Sequence, residues 1–574
     1  MAPLKPVRTL YDLSLDSVLE TVHTYVVKRQ GELGKYRKFL INVLHGAIRE
    51  TLIERAVNMY SSNILDVLDI IELLADSSIK QLQIMQTAIP GGLSHGGCFS
   101  GQLFSKIDSA NIIGLHKLIV KVNVDLHTNS SQIEPLSSVF HCALHRGLAA
   151  NLRVLTLHNA ADNQSLKIIG KYAKHLTNLD ITSSWIVDDI GICDLLLKDA
   201  SNFITAHLVD LDNCEPRAIH ALSLFPPSQI NKTCETLCEV KIQDTNTSSI
   251  SVLLLLMFAR SLKSLGGFLY FRNIGDAVIS VQSRENAPES LSLTELWDTQ
   301  LPFEKLSKIS RYLPRLTTLY TRAACLLPEP NIVPPLTNLT ADFDFVQYGP
   351  QFYRFLSYNG SSIRRLVLID QVYSLDLENI AEFCPLLEEL TAKVTVENTA
   401  ASSIYLRNLK VAKVRITSAT TFTWLMKKSD NILHLEVLLE RDSFETSMFE
   451  DDVIMQIIED NPRSLRSIRY LSIHMFWNPR YQNYIISCGN LTIDTAYALC
   501  AACDSLNVIG ELHTWFQVSN KDVTTMADHI KKSNWNGVFQ LRNRNFYLIG
   551  ELFVSAVCYI EFSASTRIFF LVVE

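Results

Sequence analysis

The chain has 574 residues, 47% of them hydrophobic, and a formal net charge of -7. It has apolar material for a large core, and an acidic balance without a dense Lys/Arg block argues against nucleic acid as a partner. Met1-Ala2-Pro3-Leu4-Lys5-Pro6 opens no secretory signal, and the run Val252–Phe258 is too short for a membrane span. The chain is therefore expected in the cytosol or nucleus, with no membrane anchor.

In chain order, residues 1–89 come first and carry helical periodicity, in Leu10/Leu13/Val18/Val22 and Ile48/Leu52/Ile53/Val57. They are predicted to form an N-terminal helical domain that docks an adaptor or serves as a cap. Thr9-Leu10-Tyr11-Asp12-Leu13-Ser14-Leu15-Asp16-Ser17-Val18 places Leu10, Ser14 and Val18 at i, i+4 and i+8, one stripe of a helix. This segment resembles a BC-box, in which Leu fills a pocket beside a small residue; Ser14 stands where Cys is usual. Leu44-His45-Gly46-Ala47-Ile48, with Leu52 beyond, resembles the adjoining cullin-box, with His45 in the place of its Pro. The resemblance implies an Elongin B/C-type adaptor and a cullin as partners, as in substrate receptors of cullin–RING ubiquitin ligases. Its docking residues would be Leu10, Ser14, Val18, Leu44, Ile48 and Leu52. An F-box is the rival, but Leu13-Ser14-Leu15-Asp16 lacks its Pro and puts Ser17 and Thr21 where aliphatics belong. A third reading is that these helices only cover the exposed core of the first repeat.

Residues 90–109 read as a Gly-rich linker, opening with PGGLSHGGCFSG. Gly92-Leu93-Ser94-His95-Gly96 matches the G-x-S-x-G nucleophile elbow, which needs a strand running straight into a helix. Pro90-Gly91 precedes it where that strand would enter. No catalytic residue is assigned, and the stretch lacks the G-K-[ST] of a phosphate-binding loop.

From 110 to 535 an apolar triad recurs at positions 1, 4 and 6 of a repeating unit. It reads Leu152/Leu155/Leu157, Leu176/Leu179/Ile181, Leu237/Val240/Ile242, Ile363/Leu366/Leu368, Leu406/Leu409/Val411, Ile432/Leu435/Val437 and Ile468/Leu471/Ile473. Partial copies begin at Leu115, Leu262, Leu293, Leu316, Leu336, Leu387 and Leu506. Spacings such as 24 residues between Leu152 and Leu176 resemble those of leucine-rich repeats. The resemblance implies an α/β fold, a leucine-rich-repeat solenoid (horseshoe) with an N-terminal helical domain. Ala160, Ser184 and Thr245 replace the Asn or Cys at position 9 that normally closes each turn. Between the triad leucines, Arg153, Val154, Thr156, Glu239, Lys241, Arg365, Val367, His434, Glu436, Tyr470 and Ser472 are expected to line the inner face. They mix polar, aromatic and charged groups of both signs, which suits a protein surface better than phosphate.

Metal chemistry finds no foothold. Cys500-Ala501-Ala502-Cys503 is a lone C-x-x-C in an apolar helical run, Cys234/Cys238 are likewise a single pair, and a structural zinc site needs four ligands. His141 and His145 lack an accompanying H-E-x-x-H glutamate, and Glu440–Asp452 reads as a solvated loop. Residues 536–574 show no period and are left without an assigned structure. The chain is expected to be a non-enzymatic protein-binding receptor without cofactor or metal; a scaffold with no ubiquitin role is the alternative.

Overall fold

The computed structural model describes residues 9–28, 33–60, 63–86, 96–122, 138–198, 201–207, 216–266, 274–284, 287–298, 301, 303–323, 326, 333–343, 349–369, 371, 373–396, 404–439, 449–475, 489–510, 512, 515, 517–532, 538–542 and 557–560. It divides into two units, Arg8–Leu316 and the residues from Thr317 onward.

The first unit begins with four helices, α1 (Leu10–Lys28), α2 (Leu33–Val43), α3 (Gly46–Met59) and α4 (Ile64–Leu74). Helix α4 supplies the centre of their core: Val67, Leu68, Ile70, Ile71, Leu73 and Leu74 are all buried. Leu15, Leu19, Val22 and Val26 of α1 and Leu52, Ile53, Ala56 and Val57 of α3 are buried with them. Spacings of three and four keep each set on one helical face. The phase of α1 differs from the Leu10/Leu13/Val18/Val22 stripe expected from sequence: only Val22 belongs to the core, while Leu10 and Leu13 face water.

Five parallel strands come next, β1 (Gln81–Gln86), β2 (Lys117–Val122), β3 (Val154–His158), β4 (Asn178–Asp180) and β5 (Glu239–Lys241), in sheet order β1-β2-β3-β4-β5. Their register aligns Leu82, Leu118, Leu155, Leu179 and Val240, every one buried. A strand alternates its side chains between faces, so aligned register stacks all the position-4 residues into one apolar row. The stacking continues where Thr294 and Glu295, at the start of β6 (Glu295–Trp297), donate backbone N–H groups to the Lys263 carbonyl at 2.9 and 3.3 Å.

The repeat pattern thus starts earlier than residue 110: Ile79, Leu82 and Ile84 form a buried triad inside the segment read as the helical head. Helix α5 (Gly96–Ser109) occupies most of the segment read as a linker, burying Leu103, Phe104 and Ile107. Those three apolar residues at helical spacing outweigh the glycines before them. Ser94 lies outside the described residues.

The unit from Thr317 carries a longer sheet. Strands β7 (Thr318–Arg322), β8 (Asn338–Asp342) and β9 (Arg365–Ile369) lead, and the two-residue β10 (Leu375–Asp376) pairs with β11 (Glu389–Thr395). After β12 (Val411–Ile416) and β13 (His434–Leu439), a short pair of β14 (Phe449–Glu450) and β16 (Gly489–Asn490) flanks β15 (Tyr470–Met475) in sequence. Strands β17 (Val508–Gly510), β18 (Val538–Arg542) and β19 (Val557–Ile560) complete the set. The main sheet runs β7-β8-β9-β11-β12-β13-β15-β17-β18-β19, parallel until β19, which returns antiparallel. Leu319, Leu339, Leu366, Leu390, Ala412, Leu435, Leu471 and Ile509 align in register and are buried.

That row corrects one triad. Leu406/Leu409/Val411 is out of frame by three residues, and the unit reads Leu409/Ala412/Val414, with Val411 half-buried. Alanine at position 4 hid the true frame. The segment left unassigned at 536–574 contains β18, in register with β17, and the antiparallel β19.

The turns after the strands repeat as well. Asn159, Ser183 and Asp244, each at position 8 of its unit, have φ of 56, 61 and 50°. Short polar side chains tolerate this left-handed conformation best after glycine. At position 9, Ser184 donates to the Leu157 carbonyl (3.0 Å) and accepts from the Ala161 N–H (3.1 Å), so it closes the turn as Asn or Cys would. Gln371 does the same between repeats, accepting from Lys393 N–H at 2.6 Å and donating to its carbonyl at 3.3 Å. Helices then cover the row from behind, started by the side-chain caps Asp162, Asp188, Ser248, Asp376, Ser418 and Thr492.

Candidate protein-docking surfaces

Helix α1 starts at Leu10 because Thr9 closes its first turn: the Thr9 hydroxyl accepts from Asp12 N–H (3.0 Å) and donates to Asp12 Oδ2 (2.6 Å). That start leaves the first turn beyond the packed core. Leu10 is 81% exposed, and Tyr11 and Leu13 are exposed too. Ser14 is exposed, its hydroxyl returned to the Leu10 carbonyl at 2.7 Å, and Val18 is half-buried. The Arg55 guanidinium of α3 holds this turn in place, bonded to Asp16 at 2.6 Å and to Asp12. The Thr9 hydroxyl, and then Arg55, hold the Asp12 carboxyl below the usual range.

The other candidate positions separate. Leu44 and Ile48 are half-buried, whereas Leu52 is fully buried and belongs to the core of the helical head. His45 caps α3, its Nδ1 accepting from Ala47 N–H at 3.3 Å. The sequence reading missed Arg49, which is 3% exposed. It donates to the Leu44 carbonyl (3.0 Å), the Leu74 carbonyl (2.7 Å), Asp76 (3.2 Å) and Ser78 (2.9 Å). Arg37 similarly takes the Glu72 and Ala75 carbonyls at 2.8 Å each. These arginines satisfy carbonyls at the end of α4 that would otherwise lack partners. No periodicity marks them, because their role depends on chain ends distant in sequence. Phe39 and Val43 of α2 were missed also, and both are exposed.

All but Arg153 of the residues expected from sequence to line an inner face lie on strands. In the first unit, His158 Nε2 lies 2.9 Å from Asp180 Oδ2, and Thr182 donates to the same carboxylate from its N–H (3.1 Å) and hydroxyl (2.7 Å). Burial pushes the Asp180 carboxyl up, but these bonds more than offset it and leave it below the usual range. Lys241 pairs with Glu239 at 3.0 Å; desolvation opposes its charge, and that carboxylate, with Asp180 and Glu295 beyond, raises its pKa nonetheless. Thr156, in register with Asp180, is buried, and Arg153 is exposed. On the sheet of the second unit, the His434 and Tyr470 rings stack 4.0 Å apart. Arg365 pairs with Glu389 at 3.0 Å, and Glu436 stands 3.9 Å from both Lys413 and His434. Val367 is half-buried, and Ser472 is buried.

His141 binds Asp162, the cap of the helix Asn163–Tyr172, at 3.1 Å. Cys503 is buried, its thiol pushed by desolvation to about 12, and burial raises Cys500 too. Among the described residues no three His, Cys, Asp or Glu gather to hold a metal, and no helix is long and apolar enough to cross a membrane.

The chain is an α/β protein whose parallel sheets gain one strand with each turn of a repeating unit. No protein-family model and no curated protein sequence matches it. Among solved structures it is similar to the Rad7 and Elc1 complex of yeast, with 13% identity, 91% of each chain covered and a TM-score of 0.33. It is also similar to the TLR13–ssRNA13 complex, with 11% identity, 77% of this chain and 60% of that one covered, and a TM-score of 0.37.

Proposed function

We propose that the chain is a leucine-rich-repeat solenoid acting as a non-catalytic substrate receptor of a cullin–RING ubiquitin ligase, in the cytosol or nucleus. The repeats recruit a target protein, and the N-terminal helices dock an adaptor of the Elongin B/C type, which brings the cullin. The observation that carries this reading is the first turn of α1. Leu10, Tyr11 and Leu13 stand in water on a helix that Arg55 pins to α3. A rigid, exposed apolar anchor is what a helix-in-groove contact uses. Leu44 and Ile48 are partly open to such a partner, and Leu52 is enclosed in the core.

One observation favours a second role for the same helices. Glu50 of α3 accepts the backbone N–H groups of Lys80 and Gln81 (the latter at 3.2 Å), at the start of edge strand β1. The head therefore also serves as the N-terminal cap of the stack, and a scaffold with no ubiquitin role needs only that.

The test is capture of separately purified Elongin B–Elongin C, and of the F-box adaptor, by the full chain. Burying a Leu is worth roughly 1.5–3 kcal/mol, so Leu10→Ser should weaken adaptor binding on the order of tenfold to a hundredfold. The thermal melt should not move, since Leu10 is outside the core. Capture of the F-box adaptor alone transfers the protein to the rival ligase class. A folded chain that captures neither leaves the scaffold.

A further inference from the structure

Trp185 is 60% exposed, and Ile186 beside it is 38% exposed. The other described tryptophans are used internally: Trp424 and Trp515 are buried, donating to Glu378 (3.1 Å) and the Ile473 carbonyl (2.7 Å), and Trp297 donates to Glu295. The Trp185 indole N–H has no partner among the described residues.

Its backbone is nevertheless fixed. Trp185 N–H donates to the Ser183 carbonyl (3.1 Å) and Val187 N–H to that of Ser184 (3.0 Å). The neighbouring turn is bonded on both sides, Ser183 N–H to the Gln243 carbonyl (2.8 Å) and Asn246 N–H to that of Val187 (2.9 Å). The loop holding Trp185 therefore runs beside Asp244, which is exposed. Residues 178–189 and 239–248 contain the carboxylates Asp180, Asp188, Asp189, Glu239 and Asp244 against the single cation Lys241.

We infer that Trp185, Ile186 and Asp244 form an anchor for the target, and that its occupant is a basic-apolar protein segment, an Arg or Lys next to an aliphatic side chain. A tryptophan on a rigid loop offers large contact area at little entropic cost, and its ring face attracts cations. The adjoining carboxylate selects the same charge and disfavours an acidic segment. The inference deepens the receptor reading, and rests on it only in taking the repeats as the part that binds the target.

A library of random 12-residue peptides selected on the full chain, with no adaptor present, reads the anchor separately from adaptor docking. The selected peptides should be enriched in Arg or Lys beside aliphatics, and Trp185→Ala should weaken them tenfold or more without shifting the melt. Asp244→Asn keeps a residue suited to the left-handed turn while removing the charge, so it should cost severalfold and flatten the salt dependence. Tyr373→Ala, removal of another exposed aromatic, should leave binding as it was. Acidic or purely apolar selected peptides, peptides indifferent to Trp185→Ala, or a selection yielding no binders would each overturn the inference.

Discussion

Leucines of the helical head and leucines of the strands obey different rules. In the sheet, Leu339, Leu366 and Leu390 are locked by register, so a leucine at position 4 has one place to go. In α1, the leucines at 10, 13, 15 and 19 are close in sequence and identical in chemistry, yet two are exposed and two buried. Pairing to neighbouring strands removes the rotational freedom that an isolated helix keeps, and only tertiary packing decides the helix phase. The strand leucines therefore hold the fold, while the head is free to spend apolar side chains on a partner.

The largest effect expected from this contrast is at Leu366. Leu366→Ala removes a fully buried side chain from a row that cannot shift without breaking register, and should destabilise its unit by roughly 2–5 kcal/mol in urea unfolding. Leu10→Ser, an equally severe change in the head, should leave the same curve unmoved. Equal losses at the two sites would erase the distinction.

In the head, order comes from arginines as much as from leucines. Arg49→Leu keeps the apolar stem but strands the Leu44 and Leu74 carbonyls and the Asp76 carboxylate, costing roughly 1–3 kcal/mol. Burial raises the Asp76 carboxyl, and the Ser78 and Arg49 bonds reverse this and leave it below 3.8. Its folded pKa is thus lower than its unfolded one. The stabilisation is present above about pH 4 and disappears as pH falls through the folded pKa. Urea melts of the wild type from pH 6 to pH 3 should show that loss, and Arg49→Leu should reduce it. A variant with an unchanged acid limb would show that Asp76 is held by Ser78 alone.

The same contrast explains what the sequence could disclose. Triads at Leu152, Leu176, Leu237, Ile363, Ile432 and Ile468 were readable because a strand face repeats every second residue and the unit repeats about every 24. The frame failed at Ala412, where the position-4 side chain is too small to stand out, and at Ile79, which follows so soon after the apolar run of α4 that its triad was read with the helices. The turn closures at Ser184 and Gln371 depart from the usual residue while making its hydrogen bonds, so chemistry persists where spelling does not. For the head, Leu10 and Ser14 were singled out by their resemblance to a docking motif, and the structure places both in water. Leu52, read with them, is internal, and Arg49 and Arg55 were invisible because all their side-chain partners but Leu44 lie 25 to 43 residues away in sequence.

The smallest effect sharpens the comparison from the other side. Arg365 pairs with Glu389 at 3.0 Å on the sheet face, with its side chain 49% exposed and that of Glu389 30% exposed. Water screens both charges, and exposed pairs of this kind contribute roughly 0–1 kcal/mol. Arg365→Ala should therefore move the urea midpoint little, although its ion pair is about as short as any that Arg49 makes. What separates the two arginines is where their donors sit: Arg49, 3% exposed, serves the buried Leu74 carbonyl among others, whereas Arg365 meets a part-exposed carboxylate from a side chain that is half in water. Measuring both variants in one denaturant series, at low and high salt, is decisive. The small Arg365 effect should shrink further at high salt and the Arg49 effect should persist. A salt-insensitive loss above about 2 kcal/mol at Arg365 would mean that the ion pairs on the sheet face are structural elements of the sheet, and would leave fewer of those residues free for a target.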